Sequence, residues 1–450
     1  MPHFQGHAII IGGGFGGLVT GRILSDYFDK VTIIENDSLS DIKSTEPRPG
    51  VPQGKIAHHL LFKGAEILEQ WFPHLQKTLV DLGAKRVEIL HELRFYELGW
   101  MPHFHNEHYT YLVTRPCLEE GIRAQMKNYP NIEFLYGAEA HQFLADFKNN
   151  RLTGVRVKNR VTNEQSNLYG EFFVDASGVN THCVEWLEQL GFSKPEKREA
   201  KLDIYYHTQT YRPPKGPKPE WKMMVVHLLE GNVGIITEIE DDAEGERIMI
   251  TQAGQLDGPL TTLDEYKRFA RQLGRPEFYE VLEKSTPLTP IEYYKFPAIR
   301  RFLYESYPQL PDRFIAIGDA LSKWNPEGAI GMNICTLTCE ILQKVFAESD
   351  SINHLNVKFF KRASKFLDKV WTMGVESPYS RYESAPSLGT RFIRWYLASI
   401  SEVAVQNPKV WETKYGVYVI DKPMVSIFHP MIVFKVLWHS IKSKFVKSEK

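Results

Sequence analysis

"HAIIIGGGFGGLVTGRILSDYFDKVTIIEND", residues 7–37, carries a strand, a glycine turn, a helix and a second strand in one run. Ala8 to Ile11 is a short apolar run of β character, and Val31 to Ile34 is another, closed by Glu35. Between them Gly12, Gly14 and Gly17 are spaced as G-x-G-x-x-G, with Phe15 and Gly16 inside the loop. Leu18, Ile23 and Leu24 suit the inner face of the helix that follows. Each glycine has a physical task. Gly12 permits a tight turn, Gly14 lets the backbone approach a pyrophosphate, and Gly17 lets the helix pack closely on the strand. The helix start offers free N–H groups and the positive end of a dipole to the phosphates. Glu35 stands where a carboxylate can accept the hydroxyls of a ribose, and it disfavours a 2′-phosphate. The pattern predicts FAD or NAD rather than NADP; a glycine-rich turn without a ligand is the plainer alternative.

A second stretch, "IAIGDALSKWNPEGAIGMN" at residues 315–333, completes the thought. An apolar strand ends in Gly318-Asp319, and a carboxylate at the C-terminal end of a strand in an open α/β sheet points into the ligand crevice. Asp319 suits the hydroxyls of a sugar or ribitol chain. Pro326 sits before a predicted helix, where its missing N–H costs little. Gly328, Ala329 and Gly331 keep side chains away, so the backbone can touch a flat ring. "MNICTLTCEILQKVF" follows with helical spacing at Ile334, Leu337, Ile341, Leu342 and Val345.

The two motifs lie far apart in the chain, and together they resemble the flavoprotein monooxygenases of the p-hydroxybenzoate hydroxylase fold group. "RPGVPQGKIAHHLLFKGAEILEQWFP" (48–73), "VTRPCLEEGIRAQM" (113–126) and "VDASGVNTHCVEWLEQLGF" (174–192) are similar to segments of bacterial flavin-dependent epoxidases of polyether biosynthesis. "LTPIEYYKFPAIRRFLYE" keeps the order of residues that precedes their Gly-Asp strand. The resemblance implies that Arg48 contacts the FAD pyrophosphate and that Arg115 reaches the ribityl chain or phosphate. It implies that Asp319 binds the ribityl chain and that Pro326 to Asn333, including Gly328, Ala329, Gly331 and Met332, run along the flavin edge. Asp175 and Gly178 match the motif that braces both the FAD site and a transient nicotinamide site. The chain departs from the pattern at Lys55-Ile56, at Val179-Asn180-Thr181-His182 and at Tyr206-His207-Thr208-Gln209, where basic residues are missing near the approach of NAD(P)H.

The implied chemistry asks little of side chains. A reduced flavin meets oxygen to give a C4a-hydroperoxide, whose distal oxygen passes to an alkene; the protein supplies a dry pocket and alignment. Pocket candidates are His58, His59, Tyr206 and Pro326, with no catalytic acid or base assigned. The reading is an FAD-dependent monooxygenase using NAD(P)H and O2 on an apolar, unsaturated natural-product or isoprenoid-like substrate, by epoxidation or hydroxylation. The alternatives are an FAD reductase or desaturase of a lipid-like substrate, or a flavin-containing lipid-binding protein. A halogenase is disfavoured by the lack of a W-x-W-x-I-P stretch.

Bulk properties agree with this. A chain of 450 residues asks for two or three domains, and 43% hydrophobic with 24% charged residues is ordinary globular composition. The net charge of −1 provides no field to attract nucleic acid. Cys117, Cys183, Cys335 and Cys339 form no Cys-x-x-Cys pair, which suits reduced thiols in a cytosol. His103, His105 and His108 in "HFHNEH" match no metal motif, so no metal is expected. No secretory signal and no spanning helix are expected. The fold expectation is α/β, α+β overall. A Rossmann-like FAD-binding domain takes residues 1–80, 105–198 and 300–345, and an antiparallel substrate domain takes 81–104 and 199–299. A helical region takes 346–450. Strands are read at "KLDIYYHTQTYRP", "WKMMVVHLLE", "GNVGIITEIE" and "ERIMITQAG", and a helix at "TLDEYKRFARQLG" with Thr261 or Thr262 as its cap. The last segment places Ile432, Val433, Val436, Leu437 and Ile441 on one side and is basic through Lys435, Lys442, Lys444, Lys447 and Lys450. It reads as an amphipathic helix docked on the body, with a peripheral contact to an anionic membrane as the alternative to a purely cytoplasmic protein.

Overall fold

The computed structural model describes residues 3–38, 47–56, 58–228, 230–307, 309–375 and 388–448. The opening stretch forms strand Phe4–Ile11, helix Phe15–Leu24 and strand Phe28–Glu35. These strands lie inside a five-stranded parallel sheet in the order Phe314–Ala316, Phe172–Asp175, Phe4–Ile11, Phe28–Glu35, Ile132–Tyr136. A parallel sheet is covered on both faces, so its strands read as unbroken apolar runs. Ala8, Ile9 and Ile10 are fully buried, as are Leu18, Ile23 and Leu24 on the covering helix. Helix Ile330–Ala347 packs beside helix Phe15–Leu24, where Thr20 Oγ1 meets Cys339 Sγ at 3.7 Å. The two distant motifs are thereby brought to one end of one sheet. A separate antiparallel sheet of Ala138–Asp146, Arg151–Asn159 and Gln165–Tyr169 is a feature the sequence pattern does not single out.

The second large element is a sheet in the order Ser322–Lys323, Glu292–Phe302, Lys197–Arg212, Gly245–Gly254, Val233–Asp242, Met223–His227, Leu93–Tyr96. It is antiparallel except at its last pair, where Leu93–Tyr96, from the segment 81–104, joins in parallel. Alternation sorts its residues onto two faces. Ile204, Tyr206, Val233, Ala253 and Phe296 share a core with the parallel sheet. Tyr211, Met224, Val226, Ile236, Ile248 and Ile250 lie under helices Leu263–Gln272 and Pro276–Lys284. Thr262 is the cap of the first helix and makes a full capping box with Glu265, while Gly274 follows its end at φ 63°.

Helices Leu355–Val375, Leu388–Ala404, Pro408–Tyr418 and Pro430–Ser448 follow the last strand. Tyr396, Ile400, Trp411, Ile432 and Val436 form a second core with Leu93, Phe95, Met223 and Val225 of the sheet. The single apolar side expected of the last helix is divided. Ile432 and Val436 are buried, whereas Leu437 and Ile441 are 48% and 52% exposed. Leu437 and Ile441 each follow a docked or half-docked position by one residue, and one step turns a helical side chain well away from the contact. Lys450 lies outside the described residues, and for Lys444 and Lys447 only the backbone is described. Among the described residues no helix is long and apolar enough to cross a membrane. All four cysteines are free and buried.

Candidate functional site

The glycine turn is built as its spacing requires. Gly12 has φ 104°, and a Cβ there would lie 2.5 Å from Ala176 O. A Cβ on Gly17 would lie 1.8 Å from Gly12 O, so only glycine allows helix and strand this close. Gly14 is different: the nearest atoms to a Cβ there are Arg48 Nη2 at 3.5 Å, Glu119 Oε1 at 3.8 Å and Arg115 Nη2 at 3.9 Å. Two guanidinium heads thus face the start of helix Phe15–Leu24, and Arg115 also lies over the Phe15 ring at 5.3 Å.

These arginines belong to a buried ion network. Arg48 Nη1 lies 2.9 Å from Glu35 Oε2 and 2.7 Å from Asp37 Oδ2, and Arg48 Nε donates to Glu119 Oε2 at 3.1 Å. Helix Arg115–Met126 sets Arg115, Glu119 and Arg123 one turn apart, with ion pairs of 2.7 and 2.8 Å. Arg123 also donates to Gly13 O at 2.9 Å, and Glu35 accepts from Gly13 N at 3.1 Å and Asp37 N at 3.0 Å. Burial alone would raise the Glu119 carboxyl, yet Arg115, Arg48 and Arg123 hold it down at about 2. Burial likewise opposes the charge on Arg48, and the carboxylates of Glu119, Glu35 and Asp37 outweigh it.

On the other side of Gly12, Asp175 is fully buried and turned into its own loop. It accepts from Ser177 N and Oγ at 3.1 and 2.6 Å and from Thr181 Oγ1 at 2.5 Å, which shapes the turn through Gly178 at φ 82°. Gly318, at φ 60°, starts a short turn through Asp319. Burial raises the Asp319 carboxyl, and the positive charges of Arg115, Lys323 and Arg300 pull it part of the way back. Arg300 Nη2 ties the two loops, donating to Asp319 O at 3.0 Å and to Val179 O at 3.3 Å. Pro326–Gly328 forms one tight turn, and Ala329 at φ 52° caps helix Ile330–Ala347 without a side-chain bond. A Cβ on Gly331 would meet nothing, one on Gly328 would meet Tyr418 Oη at 3.2 Å, and Met332 is buried. The Asn333 side chain faces protein, donating to Val419 O at 2.8 Å.

The turn at Pro326 also meets the large sheet. Tyr206 Oη donates to Asn325 Oδ1 at 2.5 Å, Asn325 donates to Glu327 Oε2 at 3.2 Å, and His227 Nε2 lies 2.5 Å from Glu327 Oε1. Burial works against charging His227, but Glu327 outweighs it and its pKa is raised. His58 and His59 are half-buried beside the small sheet of His59–Leu60, Lys85–Glu88 and Tyr109–Leu112. Burial, with Arg115 nearby in the case of His58, lowers both to about 4, so both are neutral near pH 7. Of the histidine-rich loop, His105 joins Glu88 and His91 within 4.8 Å. The His91 and His105 rings are stacked 3.8 Å apart at 20°, His105 Nδ1 lies 2.9 Å from Glu88 Oε2, and Glu88 also accepts from Asn106 N and Glu107 N.

No protein-family model matches the chain. Protein Rv3254 of Mycobacterium tuberculosis is 25% identical over 380 residues, 82% of this chain and 79% of that protein. Among solved structures, the flavin-dependent brominase Bmp2 superposes with a TM-score of 0.67 at 13% identity, covering 98% of this chain and 100% of its own. PqsL, described as a probable FAD-dependent monooxygenase from Pseudomonas aeruginosa, gives 0.60 at 15% identity over 82% of this chain and 95% of its own. The fold is that of the p-hydroxybenzoate hydroxylase group. A flavoprotein/dehydrogenase from Cytophaga hutchinsonii shares it at a TM-score of 0.66 and 12% identity, covering 99% of this chain and 100% of its own.

Within this fold, the structure gathers Gly14, Phe15, Glu35, Arg48 and Arg115 at one buried ion network, with Arg115 also acting on Asp319, while Asn325 ties Tyr206 to the turn at Pro326. The side chains of Asp175 and Asn333 are turned into the protein. Sequence spacing leaves out Asp37, Glu119, Arg123, Arg300, Lys323, His227 and Glu327. Only the i, i+4 series Arg115, Glu119, Arg123 carries a signal of its own; the others are assembled by sheet register.

Proposed function

We propose that this chain is an FAD-dependent monooxygenase that uses NAD(P)H and O2 to epoxidise or hydroxylate an apolar, unsaturated natural-product or isoprenoid-like substrate. The observation that carries the reading is the pair of guanidinium heads of Arg48 and Arg115 facing Gly14 at a helix start, with Asp319 within the field of Arg115. These residues fit FAD. The helix N-terminus with Arg48 and Arg115 would hold the pyrophosphate, Glu35 the ribose and Asp319 the ribityl hydroxyls. Gly318 and the run from Pro326 through Gly328, Ala329, Gly331 and Met332 to Asn333 would offer backbone to the ring. FAD, when bound, supplies the transfer of electrons from nicotinamide to oxygen.

The chain's own part is positioning and exclusion of water. Tyr206, Ala253, Val233 and Phe296 lie on the mostly apolar side of the large sheet that is buried towards the parallel sheet, the side on which an alkene or hydrocarbon chain would be compatible. Tyr206, Asn325, Glu327 and His227 form the polar end of that face, able to hold a proton or orient one hydroxyl or carbonyl. Neutral His58 and His59 add weak donors without charge. Lys323 and Arg300 supply cations close to Asp319, where the loop Val179 to His182 lacks them. The same reading keeps the division into an FAD-binding domain (1–80, 105–198, 300–345), a substrate domain (81–104, 199–299) and a helical region. It also keeps a cytoplasmic protein with a peripheral membrane contact, since a lipophilic substrate partitions into bilayers.

A second reading, an FAD-dependent reductase or desaturase of a lipid-like substrate, is favoured by the near-complete coverage of the Cytophaga hutchinsonii flavoprotein/dehydrogenase. One experiment separates them: load the protein with FAD, titrate with NADPH and then NADH without oxygen, and follow the flavin absorbance. Bleaching followed by substrate-dependent oxygen uptake with an apolar alkene is the expected result. Bleaching with alkene reduction and no oxygen uptake assigns the reductase. A protein that takes up no FAD overturns both.

A further inference from the structure

We propose that the aromatic face of helices Leu388–Ala404 and Pro430–Ser448 seats the protein on an anionic lipid bilayer. The inference takes up the membrane contact of the reading above but none of its chemistry.

Helix Pro430–Ser448 is apolar on two sides. Ile432 and Val436 are docked in the second core, and His439 Nε2 lies 3.1 Å from Glu402 Oε2 on the neighbouring helix. On the outward side Met431, Phe434, Trp438 and Ile441 recur in steps of three and four and are more than half exposed. Nearby, Phe428 stacks on the buried Tyr396 at 5.0 Å, and Phe392, 54% exposed, stacks on the same ring beside Trp395. Single exposed apolar residues are ordinary on a protein surface, but so many half-exposed aromatic residues on two neighbouring helices are not.

Charge identifies the occupant. Lys435 and Lys442 stand on the same helix, one residue beyond Phe434 and Ile441, at the edge between the outward stripe and the docked side. Arg391 and Arg394 flank Phe392 and Trp395. From residue 424 to the end of the chain the only acid is Glu449, against five lysines, although the whole protein has a net charge of −1. Bulky aromatic side chains edged by long cationic ones match the depth profile of a bilayer interface, with rings at the headgroup boundary and ammonium groups among lipid phosphates. A second copy of this chain would bring the same excess of positive charge to both sides of the contact and is disfavoured.

The test is co-sedimentation of the full chain with vesicles of phosphatidylcholine alone and of equal parts phosphatidylcholine and phosphatidylglycerol. Phe434→Ser/Trp438→Ser is compared with the parent, with circular dichroism and flavin uptake as checks on folding. The expected result is partition onto the anionic vesicles that weakens with added salt, and a loss of about tenfold or more in the double variant. No binding by the parent, equal binding to both vesicle types, or unchanged binding by a folded double variant overturns the proposal. So does a dimer in sedimentation velocity that the double substitution dissociates, since it assigns the face to a second copy. Flavin reduction is read separately, so failure here leaves the redox assignment standing.

Discussion

Glu119 shows how much one carboxylate can organise. Three guanidinium groups converge on it in a setting nearly closed to water. Removing one member of a buried ion network leaves the rest uncompensated, so Glu119→Gln is expected to cost about 3 kcal/mol or more in chemical denaturation. The pH dependence has a definite sign. The folded value near 2 lies below the ordinary 4.5, so the contribution is complete above about pH 4.5 and is lost as the pH falls towards 2. Acid unfolding should therefore be steeper between those limits in the parent than in Glu119→Gln. His227 has the opposite sign: raised above 6.5 by Glu327, it stabilises fully below that value and progressively less as the pH climbs through its folded pKa. In Glu327→Gln the attraction that opposes burial is weakened, leaving Glu97 to raise and Lys414 to lower the group, and an NMR titration of the His227 ring should find its midpoint moved downward. At the site itself, Arg48→Met should weaken FAD binding about tenfold or more, measured by quenching of flavin fluorescence, and Arg48→Lys should not restore it because a point charge cannot replace a two-pronged donor. Glu35 is legible in sequence from its distance to the glycine turn, whereas Arg48 and Arg115 stand out only through the resemblance of the segments that carry them. The Tyr206–Asn325–Glu327–His227 chain is not, because no local pattern states which strands lie side by side.

Among elements, the strand–turn–helix at the start is the most fully written in sequence, since glycine, hydrophobic period and acidic terminus all demand the same geometry. Gly17→Ala places a methyl on Gly12 O and should abolish FAD uptake together with several degrees of thermal stability, read by calorimetry with and without FAD. Helix Leu263–Gln272 is legible for a similar reason, a capping box at one end and a left-handed glycine at the other. Thr262→Val should cost about 1 kcal/mol and leave flavin binding unchanged, because that helix covers the far face of the sheet. The extra antiparallel sheet at 138–169 is less legible; its strands mix buried and exposed positions without clean alternation.

At the scale of the molecule, the last three helices form part of the interior. They close one end of the large sheet, and Val436 is wholly buried there. Val436→Asp would bury an unpaired charge and should cost several kcal/mol, whereas a serine at exposed Phe434 should cost little. Helical period alone identifies these segments as helices but cannot say which of two apolar sides docks, and the last helix has two.

Every cysteine of this chain is buried and free, and burial pushes the thiols of Cys117 and Cys183 upward, so none is presented at the surface. The native surface is therefore silent towards maleimides. A Trp438→Cys variant would carry the one accessible sulfhydryl among the described residues, and a nitroxide or polarity-sensitive dye attached there would report, from a single known point, how deeply that helix sits in whatever covers it.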